Sequence, residues 1–171
     1  MSAPEFARNV KLDRLPASLV LEADEAERAA LARRFGLPGV AALRAEVTLG
    51  RDGDIIDVRG TLSARFEQLC AVSGERFDNR LEERLALRFV PPGDAPDEES
   101  EQEFAPDAPD EIEYENAAFD LGEAVAQSFG LLIDPFATGP DADKVRREAG
   151  IVDETAPSGP FAALATLRTD R

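Results

Sequence analysis

From Leu43 onward apolar and polar residues alternate: Leu43, Ala45, Val47 and Leu49 take one parity, Arg44, Glu46 and Thr48 the other. A two-residue period of this kind is that of a β-strand with one buried face. The alternation breaks at Gly50-Arg51-Asp52-Gly53-Asp54, a hairpin turn by composition. It resumes with Ile56, Val58, Leu62, Ala64 and Phe66 opposed to Asp57, Arg59, Thr61, Arg65 and Glu67. Gly60, inside that run, is read as a bulge. After a turn near Ser73 and Gly74, a third strand sets Leu81, Leu85, Leu87 and Phe89 against Arg80, Arg84 and Arg88, and Pro91-Pro92-Gly93 ends it. Three consecutive half-buried strands predict an antiparallel meander.

Shorter signals flank it. Phe6, Arg8, Val10 and Leu12 share one parity, and Leu19 and Leu21 another, predicting two brief strands. Asp24 with Glu27 has capping-box spacing, and Ala30, Leu31 and Phe35 follow at helical intervals before Gly36 and Pro38, so a helix is predicted over 24–35. Ile112 and Tyr114 predict a short strand, followed by Phe119. Asp120 and Glu123 then repeat the cap spacing ahead of Leu121, Ala124, Val125, Phe129, Leu132 and Ile133, a helical stripe that stops before Pro135.

These elements define an α+β fold, mainly an antiparallel sheet or meander that could close in barrel-like fashion, with two α-helices. At 171 residues the chain fits one domain. We assign it to 1–137, with 138–171 as a flexible tail.

Charge changes the picture. Between Arg88 and Lys144 there is no basic residue, while that stretch holds sixteen of the thirty-five acids, from Asp94 to Asp143; the remaining nineteen acids equal the nineteen Lys and Arg. The net charge of -16 therefore resides in one segment. Residues 92–110, polar, acidic and proline-containing, are expected to form a disordered loop, since so little apolar surface cannot offset the entropy of ordering. Such a strip could hold a basic partner protein or mimic nucleic acid, or serve only to solubilise.

Chemistry is narrowed by what is scarce. One cysteine leaves no internal disulfide, and zero histidines remove the commonest general base and metal ligand near neutral pH. No apolar run is long enough to span a bilayer, and the first residues have no signal-peptide core. A cytoplasmic, non-enzymatic protein is expected, with no cofactor, no metal and no small-molecule substrate. A Mg²⁺-dependent nuclease would need carboxylates held rigidly together, whereas these acids fall mostly on a segment expected to be mobile. Cys70 shares the parity of Ala64 and Phe66 and is read as a small buried side chain.

Two groups remain as candidates for binding. Arg59, Arg65, Arg80, Arg84 and Arg88 share the polar side of adjacent strands and could offer positive potential to RNA phosphates. Alternatively they pair with Asp57, Glu67, Glu75 and Glu82 as ordinary surface charges. In the tail, Phe161, Leu164 and Leu167 within the apolar patch 160–168 have the spacing of one helical face, suited to a partner groove or to docking on the domain itself.

Three segments taken in order resemble the YceD family, the large ribosomal RNA subunit accumulation proteins. They are the strand running into a cysteine, Val58 to Phe77; the segment Glu111 to Pro135, with its short strand, Asp-Leu helix start and apolar helix; and the terminal Pro-Phe-Ala-Ala-Leu-Ala-Thr-Leu-Arg at 160–168. Many members carry Cys-x-x-Cys after the long strand; here Cys70 is followed by Ser73, so a thiolate metal site does not carry over. The resemblance implies a role in accumulation, processing or stability of large-subunit (23S) ribosomal RNA, with pre-ribosomal RNA or a basic ribosomal protein as partner. It supplies no catalytic residues. The competing class is an acidic adaptor for a basic protein.

Overall fold

The computed structural model describes residues 4–93, 109–115 and 117–151. Its frame is a five-stranded sheet in the order β2 (Ser18–Glu22), β3 (Gly39–Asp52), β4 (Ile55–Leu69), β5 (Arg76–Val90) and β6 (Asp110–Glu113). Strands β3 to β5 form the antiparallel meander the alternation predicts, and β2 extends it by pairing antiparallel with β3. β6 departs from it by pairing parallel with β5, Leu87 opposite Asp110 and Val90 opposite Glu113. With β2 and β6 as separate edges the sheet is open, so the barrel-like closure does not occur. A second, two-stranded ladder joins β1 (Asn9–Lys11) to β7 (Ala118–Asp120).

Side-chain parity decides which face is covered. Leu43, Ala45, Val47, Ile56, Val58, Leu62, Ala64, Phe66, Leu85, Leu87 and Phe89 all point inward and are buried. Onto this face pack α1 (Glu25–Phe35) and α2 (Leu121–Leu132). Phe129 of α2 is the meeting point, edge-on to Phe35 of α1 with ring centroids 5.6 Å apart and to Phe66 of β4 at 5.3 Å. Helix α2 comes this close because position 130 is glycine: a Cβ there would run into the Phe35 ring. Among the described residues no helix packs over the strands of the outer face, where Arg44, Glu46, Thr48, Arg59, Thr61, Arg65, Glu82 and Arg84 are exposed.

Both predicted helix starts are capped as their sequences dictate. The Asp24 carboxylate accepts from the Glu27 amide and the Glu27 carboxylate from the Asp24 amide, each at 2.9 Å. The Asp120 carboxylate accepts from the Glu123 amide at 3.1 Å and from the Arg8 amide at 2.7 Å, so one side chain caps α2 and ties it to the residue just ahead of β1.

Two readings are corrected. Gly60 is not a bulge: it sits in register opposite Val47 and Leu85, and the only register shift on the β3–β4 ladder lies between Val40 and Ala42. A Cβ at Gly60 would collide with the Glu46 carbonyl, so the glycine permits close approach of two backbones. The helix count is also short by one. A third helix, α3 (Ala142–Glu148), anchored by the buried Ala142, lies in the segment assigned to the tail. With seven residues it shows too brief a period to be recognised in the sequence.

Most of the acidic loop, 94–108, and the patch 160–168 with Phe161, Leu164 and Leu167 lie outside the described residues.

Candidate nucleic-acid interface

The five arginines singled out from the sequence do share the outer face, but the structure divides them. Arg88 is occupied: its Nε donates to Asp57 at 2.9 Å and its Nη1 lies 3.9 Å from Glu111 on β6. The bond to Asp57 raises the pKa of that guanidinium still further, so Arg88 is a fixed member of an ion pair. Arg80 is loosely paired with Glu82 at 3.6 Å, both side chains well exposed. Arg59, Arg65 and Arg84 make no ion pair among the described residues. The expected neutralisation therefore takes in two of the five.

Strand register gives the layout. Passing along β4 and β5, the outward pairs are Asp57–Arg88, Arg59–Ala86, Thr61–Arg84, Ser63–Glu82, Arg65–Arg80 and Glu67–Asp78. On the β3 side, Thr48 lies beside Arg59, Glu46 beside Thr61, Arg44 beside Ser63 and Ala42 beside Arg65. The four middle rows of β3 to β5 thus carry five arginines, Arg44, Arg59, Arg65, Arg80 and Arg84, against two glutamates, Glu46 and Glu82. Arg44, on the neighbouring strand, was missed in the sequence reading; its place in the alternation opposite Leu43 and Ala45 would have found it.

Arg65 and Arg80 face each other directly across the β4–β5 ladder. Like charges in that relation destabilise a sheet. They stand at the rim of a shallow hollow of about 470 Å³ that Gly39, Val40 and Ala41 of β3 also line. Its far side carries the Glu67–Asp78 row, of which Glu67 reaches Arg76 at 3.9 Å.

Cys70, just past the end of β4, is 4 % exposed, as its parity predicts. The Ser73 hydroxyl and amide hydrogen-bond the sulfur, with the amide nitrogen at 3.4 Å, and they lower the thiol to about 7. Among the described residues no three Cys, Asp or Glu side chains converge as metal ligands. No described helix is long and apolar enough to cross a membrane.

The described residues define an α+β domain: an open sheet covered by helices on one face and bearing arginines on the other. The chain belongs to the YceD family: the family model described as "Large ribosomal RNA subunit accumulation protein YceD" matches residues 58–168, from near the start of β4 through the terminal apolar patch. Comparison with curated proteins and with solved structures finds no match. The family's description links its members to accumulation of large-subunit ribosomal RNA.

Proposed function

We propose that this protein is a non-enzymatic, cytoplasmic factor for accumulation of large-subunit ribosomal RNA, and that it acts by contacting the RNA backbone with the outer face of β3 to β5. The observation that carries this reading is the set Arg59, Arg65 and Arg84, exposed on one sheet face and free of ion pairs among the described residues. A guanidinium already matched to a carboxylate has little to gain from a phosphate; these three have all of it to gain. Membership of the family supplies the RNA.

The acidic stretch beginning at Asp94 supports a second reading, an adaptor for a basic ribosomal protein. Affinity capture from cell extract, with and without ribonuclease, separates the two. Loss of large-subunit components after digestion supports RNA contact. Retention of a basic protein on fully digested material supports the adaptor and overturns the first reading. Replacing Arg59, Arg65 and Arg84 together by alanine should abolish the ribonuclease-sensitive fraction.

A further inference from the structure

Resting on the reading that this face meets RNA, we infer that it takes the backbone of double-helical RNA rather than unpaired bases. The first ground is what the face lacks. All three strand aromatics of β3 to β5, Phe66, Phe77 and Phe89, have the inward parity, opposite Asn79, Gln68 and Ile56. None is on the outer face. Proteins that hold single strands stack bases on aromatic rings, each worth about 1–3 kcal/mol, and among the described residues the outer face of β3 to β5 carries no ring.

The second ground is what it has. Between the arginines lie the short side chains Ala42, Thr48, Thr61, Ser63 and Ala86, together with Glu46, paired with Arg44 at 2.6 Å, and Glu82, 3.6 Å from Arg80. Successive outward residues on a strand are about 6.7 Å apart and neighbouring strands about 4.8 Å. The backbone positions that carry the charges are therefore held on a fixed grid. A rigid array of phosphates loses little freedom on meeting such a grid, whereas a flexible strand pays to be ordered and recovers nothing by stacking. Duplex RNA also presents its phosphates and 2′-hydroxyls across a wide, shallow groove that a flat surface can reach.

The third ground is the border. Acidic side chains close both ends of the positive rows, Asp57 with Glu111 at one end and Glu67 with Asp78 at the other. Between those limits the positive rows run over the seven residues of β4 from Arg59 to Arg65, a footprint about 20 Å long. The opposed Arg65 and Arg80, which repel each other in the free protein, would be brought into balance by one bridging phosphate.

The test uses the full chain and two probes: a blunt 16-base-pair RNA duplex and one of its strands, chosen to be unstructured, followed by fluorescence anisotropy. The expected result is at least tenfold tighter binding of the duplex. The logarithm of the association constant should fall against the logarithm of salt with a slope of about three, one per free arginine. The triple variant R59A/R65A/R84A should lose at least tenfold of duplex affinity while its melting curve stays cooperative. Equal or tighter binding of the single strand, abolished by the same triple variant, would overturn the duplex inference and leave RNA contact by this face standing. Duplex binding unaffected by the triple variant would overturn the site. Failure of both RNAs to bind would overturn the proposed function itself.

Discussion

Arg34 on α1 holds Glu123 on α2 with both ends of its guanidinium, Nη1 to Oε2 at 2.8 Å and Nη2 to Oε1 at 2.7 Å. The same Nη1 reaches Glu5 at 3.1 Å, so one side chain joins both helices to the first residues of the described chain. The arginine lowers the pKa of Glu123, chiefly through these hydrogen bonds. Because the side chains are partly solvated, Arg34→Ala should cost only about 1 kcal/mol at pH 7. A carboxylate depressed in the folded state contributes stability above its unfolded range, near pH 4.3, and loses that contribution as pH falls through the folded value. The gap between parent and variant in thermal melts should hold from pH 7 to 5 and shrink towards pH 3. A gap that widens in acid would contradict the assignment.

Asp120 offers a sharper case, since its carboxylate accepts two amides from different parts of the chain. Loss of an N-cap costs about 1 kcal/mol, and a second part-buried amide left without its acceptor adds about as much again. Asp120→Ala should therefore lose about 2 kcal/mol in denaturant titrations, and Asp120→Asn, which keeps one acceptor oxygen, about half of that.

Gly60→Ala tests the close approach of β3 and β4. Its Cβ meets the Glu46 carbonyl and backbone atoms of Val47, neither of which can swing aside as a side chain could. We expect a loss of about 3 kcal/mol or more. Gly53→Ala, in the open hairpin turn, meets no atom but has a φ of 61°, so it should cost less, about 1 kcal/mol. If the two variants melt alike, the collision is not the cause.

Cys70 combines enclosure with an acidic thiol, and the two make separate predictions. At 4 % exposure, labelling of the native protein by a bulky thiol reagent should be slow until denaturant is added. The Ser73 hydrogen bonds that hold the thiol near 7 favour the thiolate in the fold. An acid depressed on folding adds stability that is complete above the unfolded pKa of about 8.5 and absent below the folded one. Ser73→Ala should thus lower the melting temperature more at pH 9 than at pH 6; the reverse order would show that Ser73 acts only as a turn residue.

Much of this fold is legible because period and parity are local properties. The turn at Gly53, the cap at Asp24 and the alternation of β4 each need only neighbours in sequence. The parallel placement of β6 was not legible, since Ile112 shows that a strand exists and not which way it runs beside Phe89. Gly60 was misread for a related reason: an isolated glycine in a strand looks the same whether it makes room for a bulge or for the carbonyl of Glu46. At the candidate site the parity of Arg59, Arg65, Arg80, Arg84 and Arg88 was visible. Which of them were already spoken for was not, because Glu111, one of the two partners of Arg88, comes from a strand twenty-three residues away.

The parallel pairing of β5 with β6 has a practical corollary for anyone wishing to label this molecule. Leu87 lies opposite Asp110, so the polypeptide leaving Val90 must travel back along the sheet before it re-enters at Asp110. A detour of that kind needs about a dozen residues at minimum, and nineteen are present between Val90 and Asp110. There is slack on the return path. A fluorescent peptide or affinity tag spliced into it should leave both hydrogen-bonded ladders intact.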